Sequence, residues 1–529
     1  MHIFFSKISQ KINQYKFNLE DVSIFLNLLR LRNRNKNKNK NKNKKYIILD
    51  GFISIKKVSI LYFFICYFLN NNYAKNQNNF YVPLIIIEKW YHRFTFANLI
   101  LSLLESSRFV SLSSSLNKDS KISEEIFIKS YSRNHNFLNK ENILNLKIDK
   151  FPFGEHIYCS FLRNLKIGST NSINNKFFLK SIHYWFRAKE IINNFRPEYV
   201  FLTHSSYTTY GSIFANSLLN NLYTTLIIPY SNNLFSGRSY KGMKDYSGDK
   251  RFFLSLSNKT IKKIKQFPAN KIDQSKINKF FKIRINGSDE LFEGFHHKTT
   301  KKYNRESLKY KLGIHADINN IVLVGAHQSW DDPLHYDMFF DDYVDWFEST
   351  VKTLIKNKNT HVIVKAHPSE RTIGTNDPIY ETYKKIIGKF KHTSFIQPND
   401  SINTYSLIEL SDFIVTVRGT IGIEALCFNK QVITGGFGPY SNIGLTIDSN
   451  SRKDYLQKII NLDTLPKVNI NTFYAKQILF YYLTKGIKSD LLNIKKKIAS
   501  GRIDSSFNYL INHLIKKEDD DICSLNKEL

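Results

Sequence analysis

Residues 413–434 read FIVTVRGTIGIEALCFNKQVIT, and they hold one whole unit of a fold. Phe413–Val417 is an unbroken apolar, β-branched run, short enough for a strand covered on both faces. Gly419 and Gly422 let the backbone turn tightly, and Thr420–Phe428 then runs with a helical period. Val432–Thr434 opens a second apolar run. Strand, helix and strand at this spacing make a βαβ unit and therefore a parallel sheet. Working outward, further strands are predicted at Ile321–Gly325 (IVLVG), Val362–Val364 and Phe395–Gln397. Tyr343, Trp346, Phe347, Val351, Leu354 and Ile355 recur mostly at three- and four-residue steps, one face of a helix, and Asp454–Ile460 is another helical period. Five strands alternating with helices predict a doubly wound α/β domain over 315–470.

The first half repeats the architecture without repeating the residues. Val82–Ile87 (VPLIII), Tyr199–Thr203 (YVFLT) and Thr224–Ile228 (TTLII) read as buried strands, with a helical stretch at Ser212–Leu222. They predict a second α/β domain over 46–314, in which the Ser-, Asn- and Lys-rich residues 108–150 read as an insertion or long loops. Val58–Leu69 is the most apolar run, but a spanning helix needs ~20 residues, so a buried helix is expected. Residues 1–45 read as a basic appendage: Asn33–Lys45 (NRNKNKNKNKNKK) has no apolar side chain to bury and is expected to be disordered. It reads as a low-complexity expansion, with a polybasic tether to anionic lipid as the functional alternative. No signal-peptide pattern opens the chain. Residues 471–529 are expected to hold C-terminal helices, among them an amphipathic one (Phe507, Leu510, Ile511, Leu514, Ile515) capped by Asp504 or Ser505, and an acidic tail at Glu518–Asp521.

At 529 residues the chain is too long for one core, and 42% hydrophobic and 14% aromatic content excludes wholesale disorder. Lys+Arg 77 against Asp+Glu 45 gives +32, which suits RNA, an anionic membrane surface or phosphate-rich substrates, and which an AT-rich coding sequence also produces. Cys66, Cys159, Cys427 and Cys523 form no C-x-x-C pair, so neither a disulfide framework nor a cysteine zinc site is expected, and a reducing cytoplasm is. There is no P-loop, no G-x-G-x-x-G after the first strand and no H-E-x-x-H. The pair His296-His297 lacks carboxylate spacing and reads as solvated.

In open parallel sheets ligands bind beyond the carboxyl ends of the strands, and here those ends carry the chemistry. After Ile321–Gly325 comes AHQSWDDP (326–333), with Asp331 and Asp332. After Val362–Val364 comes KAHPSE (365–370), where Lys365 and His367 suit a leaving phosphate and Pro368 stops the strand. After Phe413–Val417 comes Arg418, then Gly419, Thr420 and Gly422 opening a helix whose N–H groups suit a phosphate or diphosphate. Glu424, a turn and a half in, suits a ribose diol or the helix dipole. In the first half, THSSYTTYG (203–211) follows a strand and opens a helix, offering His204, Tyr207 and Tyr210. GEHIYCSFLR (154–163) places Glu155 beside His156 and ends on Arg163. Both segments are candidates for a general base or for acceptor recognition.

VIVKAHPSE (362–370) and TVRGTIGIEALCFNKQVITGGFGPYS (416–441) resemble the C-terminal domain of capsular-polysaccharide biosynthesis glycosyltransferases, the group that includes Kdo transferases of capsule linkers. HQSWDDPLHYDMFFDDYVDWFEST (327–350) is similar to a further segment of that group, and residues 154–163 and 203–211 resemble N-terminal-domain counterparts. The resemblance spans about 150–490 and is strongest over 320–450. It implies a GT-B-like fold, two Rossmann-like doubly wound parallel-sheet domains facing a cleft, with the nucleotide-sugar donor held C-terminally and the acceptor N-terminally. Lys365, His367 and Pro368 match the His-Pro segment; Arg418, Gly419, Thr420, Gly422 and Glu424 match a Gly-Thr-x-Gly-x-Glu segment. A carboxylate is expected near Tyr158, where Cys159 stands, which leaves Glu155, Asp331 or Asp332 as the base, with His204 the other catalytic candidate.

The expectation is a metal-independent glycosyltransferase of surface-polysaccharide assembly, cytoplasmic and peripheral at the inner membrane face. Its partners would be a nucleotide-sugar co-substrate and a saccharide or lipid-linked acceptor, with no separate cofactor and no specific nucleic acid. His156, Arg163, Tyr207 and Tyr210 are placed on the acceptor side. The alternatives are a nucleotide-sugar epimerase or polyol-phosphate transferase on the same fold, and a basic RNA-binding protein, against which the absence of an RNP aromatic motif speaks.

Overall fold

The structure is a computed structural model that describes Leu28 and residues 43–488, apart from 53–55, 71–78, 134–135, 230–233, 248–257, 269–271, 286–300, 335–337, 389 and 485–486. The readings of the Asn/Lys repeat before Asn43, of His296-His297, and of the amphipathic helix and acidic tail after 488 lie outside the described residues. The strands are β1 (Asn43–Asp50), β2 (Asn79–Ile87), β3 (Arg108–Ser111), β4 (Tyr199–Leu202), β5 (Tyr223–Pro229), β6 (Leu234–Lys241), β7 (Asn320–Gly325), β8 (Thr360–Lys365), β9 (Thr393–Ile396), β10 (Phe413–Thr416), β11 (Gln431–Thr434) and β12 (Ile487–Lys488). They form a seven-stranded sheet in the order β12-β6-β5-β4-β1-β2-β3 and a five-stranded sheet in the order β11-β10-β7-β8-β9. Each sheet is the centre of one of two compact units. Two Rossmann-like α/β units in one chain are the composition of the GT-B class.

The first unit holds the described residues through Arg133, those of Leu179–Gly248, and β12. Strands β3, β2, β1, β4 and β5 run parallel, and β6 and β12 add antiparallel pairs at one edge. From β1 the chain winds outward through β2 to β3, then returns to β4 on the other side, so the winding reverses between β1 and β4. β2 is buried over its whole length, as a strand covered on both faces must be. The helix Lys56–Phe68 packs Val58, Leu61 and Ile65 into this core, which is the buried helix expected there. Two boundaries differ from the sequence reading. β1 pairs Asn43 with Asn79, so the sheet starts inside the Asn/Lys repeat, and Leu28 is fully buried in the same core. The supposed insertion at 108–150 instead supplies β3 and the helices Lys118–Tyr131 and Lys140–Leu144. β3 is a four-residue edge strand and Lys118–Tyr131 buries none of its side chains, so neither writes an apolar pattern.

The second unit holds the described residues of Asn134–Phe178 and of Asp249–Lys485. Its five strands are all parallel, as the opening sequence implied, and β7 lies at the centre. The helix Tyr343–Leu354 buries Trp346, Phe347, Val351 and Leu354 against them. This division cuts across the expected borders at 314/315 and 470/471. Residues 134–178 join the second unit because the helix Phe153–Leu165 is buried along most of its length, and its Tyr158 hydroxyl donates to Asp342 at 2.9 Å. The helix Thr472–Thr484 belongs there too: Gln477 donates to the Phe267 carbonyl at 3.0 Å, and Ile478 and Phe480 are buried beside Ile264 and Ile277.

Candidate functional site

In the second unit the carboxyl ends of β10, β7 and β8 lie side by side, and the loops that leave them converge. His327, just past β7, joins two of these loops. Its ring stacks on Tyr343 with centroids 4.5 Å apart and planes at 6°, and meets Trp346 edge-on. Its Nε2 accepts the backbone N–H of Val417 at 3.2 Å and of Arg418 at 3.4 Å, so the ring proton sits on Nδ1. Burial, followed by the charges of Arg418 and His367, pushes its pKa well below the ordinary histidine range, which makes it a neutral brace. The sequence reading gave His327 no role. The signal for one was present: it is a histidine at a strand end between two loops rich in charge.

Arg418 is buried, donates from Nη2 to the Pro333 carbonyl at 2.9 Å and lies 5.6 Å over the Tyr343 ring. The helix Phe153–Leu165 belongs to the same unit. Burial, followed by the charge of Asp332, pushes the Cys159 thiol of that helix up. Arg163, at the far end of that helix, pairs with Asp331 at 2.6 Å and lies 5.6 Å over the Trp330 ring. Glu155, Arg163, Asp331 and Asp332 therefore gather within the second unit. Two of them had been assigned to an N-terminal acceptor domain. His156 is buried between Phe151 and Phe153 and packs the core, so the acceptor-side reading of that residue is withdrawn. The Tyr158 hydroxyl itself is tied to a carboxylate 184 residues away in the chain, the buried Asp342.

At the end of β8, the Lys365 ammonium has no hydrogen-bond partner among the described residues, and burial lowers its pKa to about 8, against the opposing pull of Asp400. His367 is anchored through Nδ1 to the Ser369 hydroxyl and to the Ser369 backbone N–H at 3.2 Å. Burial brings it down to about 4, so at neutral pH it is a neutral hydrogen-bonding ring and not the second cation the sequence suggested. Pro368 caps the short helix Ser369–Thr372. Beyond β10, Gly419 is the N-cap of the helix Thr420–Cys427 and no side chain caps that end. Gly422 has a different purpose from close approach to a ligand: a Cβ there would lie 2.0 Å from the Tyr440 hydroxyl, which itself donates to the Gly419 carbonyl at 2.5 Å. Glu424 is buried, with Oε1 2.8 Å from Arg284 and Oε2 accepting from Tyr405 at 2.5 Å. Both oxygens face partners inside the unit, and the side chain is buried.

The remaining candidates belong to the first unit. His204 follows β4 and is exposed; Tyr210 lies 5.0 Å from its ring and 4.8 Å from that of Phe52. Tyr207 starts the helix Tyr207–Leu219 at φ +63°, an unusual conformation for an aromatic residue. Beside them is Asp50, which the sequence reading passed over although it ends an apolar strand. Among the described residues no three His, Cys, Asp or Glu side chains gather as a metal would require, and no helix is long and apolar enough to cross a membrane.

A family model described as "Capsule polysaccharide biosynthesis protein" matches residues 237–482. No curated protein matches the chain. Among solved structures, a Thermosulfurimonas dismutans KpsC, a beta Kdo 2,4 transferase, is similar at 14% identity and TM-score 0.30, covering 53% of this chain and 79% of that one. A putative UDP-N-acetylglucosamine 2-epimerase from Listeria monocytogenes is similar at 12% identity and TM-score 0.24, covering 90% and 98%. The UDP-GlcNAc 2-epimerase of Neisseria meningitidis is similar at 10% identity and TM-score 0.22, covering 92% and 100%.

Proposed function

We propose, from the match of residues 237–482 to the capsule polysaccharide biosynthesis protein family, that the chain is a glycosyltransferase that moves a sugar from a nucleotide-sugar donor to a saccharide or lipid-linked acceptor. The observation that carries this reading is that Lys365 and His367 at the end of β8, and Arg418 with the uncapped start of the helix Thr420–Cys427 at the end of β10, flank the carboxyl end of β7. A departing nucleotide phosphate develops negative charge, and donors fixed where charge develops supply the largest electrostatic contribution to such a reaction. Lys365 and Arg418 contribute two cations, His367 a neutral hydrogen bond, and the helix start its N–H groups. With these in place the proposed reaction runs without a metal and without a separate cofactor. Glu155 and Asp332 are the proton-accepting candidates of the same unit, while Asp331 is held by Arg163. The acceptor side is placed in the first unit, around His204, Tyr207 and Tyr210. The proposed location is cytoplasmic, at a membrane face where a lipid-linked acceptor is met.

Calorimetric titration of nucleotides and nucleotide sugars into wild type and Lys365→Ala tests the donor site. A charge-assisted hydrogen bond contributes roughly 1.5–3 kcal/mol, so the variant should bind a nucleoside diphosphate at least about tenfold more weakly. Equal affinity, or no binding of any nucleotide sugar, defeats the reading. NMR of the donor with and without acceptor then separates transfer from epimerisation, since an epimerase converts the donor alone.

A further inference from the structure

The loop that leaves the carboxyl end of β2 reads Lys89-Trp90-Tyr91-His92-Arg93-Phe94, rings set among cations. It folds as the short helix Trp90–Phe94, and there Trp90 is 62% exposed and Phe94 55%. Rings left in water forgo the burial that drives folding, and these two are held there by the fold. Their centroids are 5.8 Å apart with planes at 81°, so they pack edge to face on each other. Behind them the fully buried Asn98 donates from Nδ2 to the His92 carbonyl at 2.8 Å and to the Gly51 carbonyl at 3.0 Å, which ties the loop to the residue that follows β1. The Thr95 hydroxyl accepts the Asn98 backbone N–H at 3.3 Å and caps the next helix, Phe96–Ser102, which buries Ala97, Ile100 and Leu101. The charge around the two rings has one sign. Arg93 lies 4.9 Å over the Phe94 ring and Lys89 5.8 Å over that of Tyr91. No acidic residue occurs between Glu88 and Glu105, and Glu88 is paired with Lys180 at 2.7 Å.

We propose that the loop 89–94 is a membrane contact of the first unit: Trp90 and Phe94 enter the interface of an anionic bilayer while Lys89 and Arg93 meet its phosphate headgroups. The proposal deepens the membrane location proposed above and rests on that reading. A tryptophan ring has an apolar body and a polar N–H, which suits it to the headgroup level. Long cationic side chains lay their stems along apolar surface and keep their charged heads among phosphates, and each adds attraction to an anionic surface. A saccharide platform fits these rings less well. It needs an open, flat ring face, whereas Arg93 lies over the Phe94 ring and Trp90 meets that ring at 81°. The place on the sheet agrees with the contact. β2, β1 and β4 are parallel, so the loop leaves the same edge of the first unit's sheet as His204, Tyr207 and Tyr210, the residues placed on the acceptor side. A saccharide carried on a lipid would be met at that edge.

Tryptophan emission reads this loop directly. The chain has four tryptophans, of which Trp185, Trp330 and Trp346 are buried, so a change on adding vesicles reports Trp90. The full chain is titrated at low salt with vesicles of phosphatidylglycerol and phosphatidylcholine in equal parts, without donor or acceptor. Wild-type emission should shift to the blue and be quenched by phospholipids brominated near the headgroup end of their acyl chains. Trp90→Ser should lose the quenchable signal. Trp90→Ser/Phe94→Ser should sediment with the vesicles at least about tenfold more weakly, since two rings lose their burial. Lys89→Gln/Arg93→Gln should do so at least about fivefold, and on the anionic vesicles alone. Wild-type emission that neither shifts nor is quenched overturns the proposal, even if the chain sediments through another basic surface. So does wild-type vesicle affinity in the double serine variant, and the wild-type quenching decides alone if that variant does not fold. Emission that responds to a soluble oligosaccharide and not to vesicles overturns the proposal too, and assigns the rings to sugar stacking. A failed nucleotide titration would leave all of these measurements standing, so failure of the transferase reading and failure of the membrane contact are told apart.

Discussion

Lys365 and His367 stand two residues apart at the end of one strand, yet burial makes opposite use of them. The Lys365 ammonium is charged below about pH 8 and neutral above it. Nucleoside diphosphate affinity should therefore fall as pH rises from 7 to 9. Lys365→Arg should flatten that slope, because a guanidinium keeps its charge throughout. Calorimetry at three pH values checks this, and slopes rather than absolute affinities are compared because the fork geometry differs. An equally steep fall in the variant would remove Lys365 from the phosphate site. For His367 the consequence falls on stability. Its folded-state pKa, about 4, lies below the ordinary histidine value near 6.5, so the unfolded chain binds more protons between them. Its contribution is complete above about 6.5 and is lost as pH falls through about 4. Urea midpoints of wild type should drop over that window more steeply than those of His367→Gln. Parallel curves would mean that the ring is not buried in its neutral form.

Whole elements are joined by single side chains, and one carboxylate holds three segments at once. Asp342 caps the helix Tyr343–Leu354 by accepting Asp345 N–H at 2.9 Å, and its other oxygen accepts from Tyr158, Ser169 and Lys140 at 2.9, 2.6 and 2.8 Å. Removing one partner of a buried ion pair costs about 3–5 kcal/mol, so Asp342→Ala should lower the urea midpoint of the second unit by an equivalent amount, and a loss under 1 kcal/mol would show the network to be dispensable. A gain is available at the far end of the helix Thr420–Cys427. Asn429 sits there at φ +59°, exposed, while the Lys430 N–H returns to the Ala425 carbonyl at 3.1 Å. Glycine adopts this left-handed conformation without the steric cost of a side chain. Asn429→Gly should raise stability by about 0.5–1 kcal/mol, read from the same denaturation curves, and a loss would mean that the Asn side chain stabilises the turn. The elements most legible in the sequence were those whose burial is continuous. β7, β10 and β2 are covered on both faces and write unbroken apolar runs. β1 was half hidden because its first three residues are exposed and polar. The packing of Phe153–Leu165 on the second unit was not legible at all. An amphipathic helix records that one face is buried, but not which sheet buries it. The same limit applied to the site: His327 works through partners about 90 residues distant in the chain, and Asp342 through partners 173, 184 and 202 residues distant.

At the scale of the whole molecule the outstanding quantity is charge. Formal net charge is +32, and Arg34, Lys36, Lys38, Lys40 and Lys42 supply five of the positive charges within ten residues. Deleting residues 1–45 is the wrong way to ask what they do, because it would also remove Leu28 from the core of the first unit and Asn43–Lys45 from β1. Replacing the five with Gln preserves chain length, Leu28 and the strand. A basic residue near an anionic lipid surface is worth about 1 kcal/mol, and that attraction is screened within about 10 Å at 0.1 M salt. If the repeat is a tether, the variant should sediment with phosphatidylglycerol vesicles at least about tenfold more weakly than wild type at low salt. The difference should vanish at 0.5 M salt and be absent with phosphatidylcholine vesicles. Turnover on a soluble acceptor should stay within about twofold, since none of the five residues belongs to the strand ends that carry the donor chemistry. Equal sedimentation of the two proteins would assign the repeat to compositional drift in an Asn- and Lys-rich chain. A membrane-facing role would then have to come from the remaining basic surface, which includes Lys276, Lys279 and Lys282 along one exposed face of the helix Gln274–Ile285.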